Sequence, residues 1–219
     1  DANAPRISSR CVLRSHDCML VFHAWLDTEF IFPMTKRDIQ LMQEKIGVVP
    51  DGVWGPASRA ACKKHLNRLL PVPVQWPMQD DQSLTAFYGQ PGDETNLVSL
   101  SVADLGVHYE NQAVKSIRCH TRVASSLFRV LTSISKTHPY VLKQYAGCYN
   151  NRNMRGGSRK SLHAWGAAID LMAGSNGNHT AWPTDSSMPL EIMEYFADEG
   201  WLSGGAYFGR DGMHFQATR

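Results

Sequence analysis

The sequence has no long apolar run and no dense block of like charge. No uninterrupted apolar stretch reaches the roughly 18 residues of a membrane-spanning helix, so no transmembrane segment is predicted. The 219 residues carry a formal net charge of only +2, and no block of about five like charges occurs. This charge is compatible with approach to an anionic surface but falls short of the basic patches of nucleic-acid-binding proteins. Nucleic acid is therefore not an expected partner.

The cysteines are spaced in no recognisable motif. The five cysteines include no Cys-x-x-Cys pair, and an odd number argues against a complete disulfide framework. A bond between Cys11 and Cys18 stays open, but reduced thiols in a protein made in the cytosol are the simpler account. A Cys-His peptidase built on Cys148 would need an activating base held against the thiol, and no residue with such spacing is visible. Covalent catalysis by cysteine is thus disfavoured.

Two short segments in the C-terminal part contain a set of metal ligands. The first runs from Ser161 to Asp170 and contains His163, and the second runs from Asp211 to His214. Two histidines and one carboxylate are a ligand set of catalytic zinc sites, which keep the fourth position open for water. The remaining acid, Asp211, is then free to activate that water.

The spacing within the first segment fits a regular helix poorly. In a helix, His163 and Asp170 would stand about 10 Å apart along the axis, whereas zinc needs both donor atoms at roughly 2.0–2.2 Å. Gly166 gives the backbone the freedom to turn, after which residues 167–171 are predicted to form a short buried strand that carries Asp170. A bent strand with Gly212 in its middle is predicted for the second segment.

These residues resemble the signature of the zinc D-Ala-D-Ala peptidases. That family includes D,D-carboxypeptidases, vancomycin-resistance D,D-peptidases and phage endolysins that cut L-alanyl-D-glutamate bonds. The resemblance covers about residues 95–219, and the arginine-bearing run 149–156 is similar to a segment of the family. The matching pattern is Ser161-x-His163-x-x-Gly166-x-Ala168-x-Asp170 followed by Asp211-x-x-His214.

The resemblance implies a role for each matching residue. It implies that Zn²⁺ is bound by His163, Asp170 and His214, while Asp211 takes a proton from the activated water and passes it to the leaving amine. It also implies an arginine that binds a substrate carboxylate or stabilises the oxyanion. Arg152 is the first candidate for that arginine and Arg155 the second. Ser161 has two interpretations, as a cap of a turn or as a substrate contact.

A second motif lies upstream and has helical periodicity. Residues 38–47 place Ile39, Met42 and Ile46 at helical spacing, and Gly47 is a stop signal. A tight turn over residues 49–56 leads into a second helix that reaches about Leu70. Helix, Asp-Gly-x-x-Gly-Pro-x-Ser turn and helix together resemble the peptidoglycan-binding module of many wall hydrolases. The alternative is a helical hairpin that only supports the enzyme by packing.

The sequence predicts an α+β protein with a small helical N-terminal domain. Residues 1–70 are predicted to hold an N-terminal segment and the helical module, residues 71–93 a proline-rich linker, and residues 94–219 the catalytic domain. Strands are expected from Leu97 and within 140–149, with helices over 122–134 and 189–200. The resemblance implies a small antiparallel sheet that holds the zinc.

The function expected from these features is zinc-dependent hydrolysis of peptidoglycan stem peptides. The bond could be L-alanyl-D-glutamate, as in endolysins, or a D,D-peptide bond. One alternative is a D-Ala-D-Ala carboxypeptidase, and another is a non-catalytic wall-binding protein with a structural metal. We expect a monomer, made in the cytoplasm of a bacterium or of a phage-infected host, whose partner is peptidoglycan at the cell wall or in the periplasm.

Overall fold

The computed structural model describes residues 33–219. The possible Cys11–Cys18 bond and the N-terminal segment before residue 33 therefore lie outside the described residues. Among residues 33–219, no helix is both long enough and apolar enough to cross a membrane.

The predicted helical pair is present and its ends are set by local signals. Helix α1 (Lys36–Ile46) begins at a capping box in which the Thr35 and Asp38 side chains each accept the other's backbone N–H. It ends at Gly47, whose φ of 77° lies in the left-handed region. Helix α2 (Pro56–Leu69) has proline as its first residue. The two helix predictions are confirmed to within two residues at each end.

The stretch 71–93, predicted as a linker, contains a helix of its own. Helix α3 (Asp81–Tyr88) starts at Asp80, whose carboxylate accepts the Ser83 N–H. Leu84 and Tyr88 are buried, and the Tyr88 hydroxyl donates to the Ala217 carbonyl at 2.7 Å. Residues 33–219 all belong to one compact unit, and the division at residues 70 and 94 stays a prediction.

A two-stranded ribbon and a long helix follow. Strand β1 (Leu97–Ser101) pairs antiparallel with β4 (Ser116–His120), and a short hairpin joins β2 (His108–Tyr109) to β3 (Gln112–Ala113). Helix α4 (Thr121–Thr137) and the single turn α5 (Pro139–Leu142) come next. The predicted apolar face of α4 is confirmed, because all of its members are buried: Val123, Leu127, Val130, Leu131 and Ile134.

A four-stranded antiparallel sheet forms the rest of the C-terminal part. Its strands are β5 (Tyr145–Gly147), β6 (Ala168–Leu171), β7 (Leu202–Ser203) and β8 (His214–Gln216), in the order β5-β6-β8-β7. Helices α6 (Ala173–Asn176), α7 (Leu190–Asp198) and α8 (Gly204–Phe208) connect or flank these strands. Mixed helices and small antiparallel sheets agree with the predicted α+β class.

The core fixes which face of this sheet is available to a site. Phe215 of β8 stacks on Phe196 of α7 with ring centroids 3.9 Å apart, and both are fully buried. Because side chains alternate along a strand, His214 and Gln216 point to the face opposite Phe215. Asp170 and His214 are direct partners in the β6–β8 register, so the sheet brings a carboxylate and an imidazole together.

Candidate metal centre and cleft

Three donor atoms from the two predicted segments converge at one point of the sheet. His214 Nδ1 lies 3.0 Å from Asp170 Oδ1, and His163 Nε2 lies 3.2 Å from each of those two atoms. All three side chains are almost fully buried. Within residues 33–219, this is the one group of at least three His, Cys, Asp or Glu residues close enough to hold a metal ion.

Hydrogen bonds behind the two imidazoles fix which ring nitrogen faces the cluster. His163 Nδ1 donates to the Cys148 carbonyl at 2.6 Å, which leaves Nε2 as an acceptor. His214 Nε2 lies 3.1 Å from Gln216 Oε1, and the Gln216 amide nitrogen donates to Thr218 Oγ1 at 2.6 Å. With the Gln216 amide oriented in this way, His214 Nε2 donates to it and Nδ1 is the acceptor.

The cluster therefore gathers three electron-pair donors with no hydrogen between them, and such an arrangement needs a cation. Ligands at about 2.0–2.2 Å from tetrahedral zinc are roughly 3.4 Å apart, close to the 3.0–3.2 Å between these atoms. The donor set and its spacing fit Zn²⁺.

His163 owes its position to a short turn that the sequence encodes directly. It lies in a 3₁₀ turn (Leu162–Trp165) that Ser161 caps, since the Ser161 hydroxyl accepts the His163 N–H at 3.4 Å. The turn ends at Gly166, with φ of 67°, where a Cβ would come within 2.9 Å of the His120 backbone nitrogen. Only glycine fits there. The predicted break at Gly166, followed by a buried strand with Asp170, is confirmed.

The prediction that Asp211 lies in a bent strand is wrong. Asp211 occupies a tight turn before β8, with φ of 60°, and its carbonyl accepts the His214 N–H at 3.0 Å. The Asp-Gly pair explains the difference, since both residue types favour turns over strands. Gly204 makes the turn possible, because a Cβ at that position would clash with the Asp211 carbonyl.

One oxygen of the half-buried Asp211 carboxylate has no internal partner. Its Oδ1 atom is buried and has no hydrogen bond among residues 33–219. Burial raises the pKa of Asp211, and the negative charge of Asp170 adds to this, although His214 and His163 oppose it. Asp211 lines the same cleft as the three donor residues. An unpaired acid in that position can exchange a proton with a molecule bound in the cleft.

Both predicted arginines belong to a loop that folds over the cleft. The Ser161 N–H donates to the Arg152 carbonyl at 3.1 Å, so the base of the loop is tied to the turn that holds His163. The Arg152 side chain makes one weak bond, to the Asn153 carbonyl at 3.4 Å, and Arg155 is exposed near the tip. Arg152, Arg155 and Ser161 all line the cleft beside His163.

The cleft has two lobes that share the cluster. One lobe, of about 240 Å³, extends from the cluster past Asp211 to Phe208 and Arg210. The other, of about 420 Å³, extends past β5 to Tyr109 and Tyr149. Four residues line both lobes: Arg152, Arg155, His163 and Asp170.

Several contributors to the site were not identified from the sequence. Gln216 has a detectable signal, because it lies two residues after His214 and so shares its strand face. Arg210 is an exposed cation in the cleft directly before Asp211, and its position next to a predicted base was a usable signal. The Cys148 carbonyl has no signal, since every residue carries a backbone carbonyl. The need for Gly204 follows from a tertiary contact alone.

Cys148 has no nucleophilic role in this arrangement. Its thiol is buried, and burial raises the pKa of Cys148 well above the usual value. The Cys148 Sγ faces the Gly166 carbonyl at 3.9 Å. A buried, protonated thiol is inert, which agrees with the expectation that cysteine does not act as the nucleophile.

Comparison with known proteins identifies a relationship for the C-terminal part. Residues 155–217 match a family model described as D-alanyl-D-alanine carboxypeptidase. That stretch includes His163, Asp170, Asp211 and His214, whereas Arg152 and the helical hairpin lie outside it. No curated protein and no solved structure matches the chain. The match supports a peptidase of the zinc-dependent D-Ala-D-Ala type.

Proposed function

We propose that this protein is a zinc-dependent peptidase that hydrolyses amide bonds in peptidoglycan stem peptides. The observation that carries the proposal is the convergence of His163 Nε2, Asp170 Oδ1 and His214 Nδ1 within 3.0–3.2 Å. A structural zinc site needs four protein ligands, and only these three are found among residues 33–219. A fourth position open to the cleft favours catalysis over a structural metal.

Each residue near the cluster has a separate task in this proposal. His163, Asp170 and His214 hold the metal, and the Cys148 carbonyl and Gln216 keep the two imidazoles in the ligating orientation. Zinc in such a site lowers the pKa of water towards about 7 and polarises a carbonyl group. The protein's own side chains must then transfer a proton and bind the negative charge of the substrate.

Asp211 is the residue that we assign to proton transfer. Its unpartnered Oδ1 accepts a proton from the attacking water and later delivers it to the nitrogen of the leaving amine. Burial raises its pKa, and a carboxylate with a raised pKa is a stronger base than an exposed one. Its strained turn conformation fixes the carboxylate relative to His214.

Arginine side chains supply the positive charge for the substrate. Arg152 is proposed to bind a substrate carboxylate or to stabilise the oxyanion, with Arg155 as the second candidate. Neither guanidinium has an ion pair within residues 33–219, whereas Arg118, Arg129 and Arg159 outside the cleft are paired with acids. Ser161 is engaged as the cap of the His163 turn, and a substrate contact for it remains a proposal.

The helical hairpin α1–α2 is proposed to bind the wall. Its turn presents the exposed side chains of Val49 and Val53 to solvent, and binding to an insoluble polymer raises the local concentration of substrate. The hairpin also packs on the rest of the unit, since Trp54 meets Trp182 edge to face at 5.3 Å. Packing support and wall binding are therefore compatible. The proposal places the protein at the cell wall or in the periplasm.

The test compares release of amino groups from purified peptidoglycan by three preparations. The wild type should release them, and both the chelated protein and Asp211→Asn should lose at least about 10²-fold in rate, since general acid-base catalysis typically contributes 10²–10⁴-fold. Asp211→Asn should still bind zinc and still sediment with the wall polymer. Equal release by all three preparations would refute the metal mechanism.

A further inference from the structure

We propose that the exposed face of helix α2 binds a cell-wall polymer that carries phosphodiester groups. This inference rests on the proposed function, because it names the ligand chemistry for one surface of the hairpin that is proposed to bind the wall. The residues of this face line neither lobe of the cleft, and they take no part in the hydrolysis.

Helix α2 contains four lysine and arginine residues and no acidic residue. All four are exposed, and together they form what we call the basic face: Arg59, Lys63, Lys64 and Arg68. The buried side of the helix is lined by Ser58, Cys62 and Leu66, so the basic face points to solvent. The whole chain has a formal net charge of only +2, and the residues outside α2 are therefore net acidic.

The side chains of the basic face have no ion pair and no hydrogen bond within residues 33–219. Cations on two other helices are engaged inside the protein. In α1, Lys45 contacts two glutamates of α7. Helix α4 also lacks acids, but its Arg129 pairs with Glu199, and its Arg122 lies over the Phe87 ring at 4.5 Å. The basic face is thus a concentration of charge that the described part of the fold does not neutralise.

The arrangement of these cations disfavours the helix that carries them. Arg59 and Lys63 are four residues apart, and so are Lys64 and Arg68, and like charges at this spacing destabilise a helix. Arg59 also lies near the N-terminal end of α2, where positive charge is unfavourable. Only Arg68, in the last turn, is favoured by the helix dipole. Helix formation does not account for the other three cations, whereas a bound anion offsets their repulsion.

A phosphodiester polymer fits the basic face better than a membrane does. Lysine and arginine both bind phosphate oxygens, and arginine can do so through two parallel hydrogen bonds. The distance from Arg59 to Arg68 along the helix axis is about 13 Å, so a linear polyanion can contact several of the cations at once. Helices that lie in a membrane surface present large apolar side chains beside their cations. Helix α2 exposes no large apolar side chain.

The experiment measures binding of the zinc-loaded protein to poly(glycerol phosphate), a soluble phosphodiester polymer. One variant combines Lys63→Gln, Lys64→Gln and Arg68→Gln. At low ionic strength its affinity should fall at least about 10-fold, as expected for three basic side chains at an anionic surface. The wild-type affinity should fall as salt is added, because exposed charges are screened.

The matched control removes the same net charge from other parts of the surface. It combines Lys115→Gln, Lys136→Gln and Lys143→Gln, whose lysines are exposed and have no ion pair within residues 33–219. Its affinity for the polymer should stay within about twofold of the wild type. Thermal unfolding checks that both triple variants fold, and both should release amino groups from a soluble stem peptide at the wild-type rate.

Three results would overturn the proposal. The first is that the wild type does not bind the polymer, and the second is that the two triple variants lose equal affinity, because net charge alone would then explain the binding. The third is that the α2 cations bind phosphatidylglycerol vesicles more tightly than the polymer, which would make a membrane the partner.

A second measurement separates this proposal from the proposed function. The wild type should sediment more with intact cell wall than with peptidoglycan stripped of its phosphodiester polymers, and the α2 variant should lose that difference. If the wild type sediments equally with both, the basic face is refuted while wall binding and hydrolysis stand. If the zinc-loaded wild type releases no amino groups from peptidoglycan, the peptidase function fails, and binding to the polymer is still measurable.

Discussion

Gln43 in the helical hairpin and the cluster of His163, Asp170 and His214 are both buried and polar, but their atoms are satisfied in different ways. The two amide hydrogens of Gln43 are shared among Asp51 Oδ1, the Val53 carbonyl and Ser58 Oγ, which lie 2.9–3.1 Å from the amide nitrogen. The Gln43 amide oxygen accepts the Gly52 N–H at 2.8 Å. Both polar atoms of the Gln43 amide therefore have partners within the hairpin, and nothing further is needed.

The cluster of His163, Asp170 and His214 has the opposite balance. Its ring N–H groups donate hydrogen bonds away from the cluster, to the Cys148 carbonyl and to Gln216 Oε1. Its inward atoms are all acceptors, 3.0–3.2 Å apart. Burying acceptors against each other is costly unless a cation or proton joins them. Internal satisfaction of polar groups therefore indicates a structural role, and convergent acceptors indicate a binding site.

Removing the negative charge of the cluster should have the largest effect on the protein. Asp170→Asn keeps the side-chain volume but replaces an anionic ligand by a neutral amide. We expect loss of bound zinc and a fall in peptidase rate of about 10³-fold or more, because the metal supplies several kcal/mol to the reaction. Elemental analysis of the purified protein measures the loss of zinc.

A chelator provides the control. It should lower the unfolding temperature of the wild type and leave that of Asp170→Asn unchanged. An equal response of both proteins would contradict the assignment of Asp170 as a metal ligand.

A smaller and more discriminating test compares Gln216→Leu with Gln43→Leu. Loss of an outer partner of a metal ligand typically costs 10–100-fold in affinity, so Gln216→Leu should weaken zinc binding by about that factor. Gln43→Leu should leave zinc affinity unchanged and lower the free energy of unfolding by about 1–3 kcal/mol, because buried groups of the turn lose their partner. Competition with a zinc indicator and urea denaturation measure the two quantities.

The paired design carries its own control. If both variants lose the same zinc affinity, Gln216 acts only through general stability and the distinction between the two regions disappears. Gln216→Glu offers a further check, since its carboxylate can still accept from His214 Nε2. We expect Gln216→Glu to recover part of the zinc affinity lost in Gln216→Leu.

Local signals accounted for most of the helices and for the convergence of His163, Asp170 and His214. The capping pair Thr35 and Asp38 and the stop at Gly47 are short-range features, so helix α1 could be predicted nearly to its ends. The metal pattern could be predicted because three residue types with one coordination chemistry occur together, with Gly166 to bend the chain between them. Such features need no knowledge of tertiary contacts.

The rest depends on contacts between distant parts of the chain. Helix α8 begins with Gly204 and Gly205, which disfavour helix, and both are required by close approach to Asp211 and to Trp182. The bond from His163 to the Cys148 carbonyl depends on the pairing of β5 with β6. Helix α3 was missed because the polar and proline-rich composition around it predicts a connector, although Asp80 offers a cap.

The smallest expected effect concerns the contact between the hairpin and helix α7. There, Lys45 Nζ lies 3.2 Å from Glu191 Oε1 and 2.6 Å from Glu194 Oε2. Burial alone would raise the pKa of Glu191, but hydrogen bonds from its own backbone and from Lys45 lower it below the usual 4.5. Burial alone would lower the pKa of Lys45, but the two glutamates raise it above the usual 10.5. The ion pair between Lys45 and Glu191 therefore stabilises the fold fully between the usual pKa values of 4.5 and 10.5. Its contribution is lost as pH falls through the lowered pKa of Glu191, or rises through the raised pKa of Lys45.

Lys45→Met should accordingly lower the free energy of unfolding by about 0.5–1 kcal/mol near pH 7, the range of partly exposed ion pairs. The difference from wild type should shrink at an acidic pH below the lowered pKa of Glu191, where its carboxylate is protonated. Urea denaturation at the two pH values measures it. Lys64→Met is the matched control, because Lys64 is exposed on α2 and has no ion pair within residues 33–219. A difference for Lys45→Met that does not change between the two pH values would mean that its aliphatic stem, and not its charge, holds the hairpin to α7.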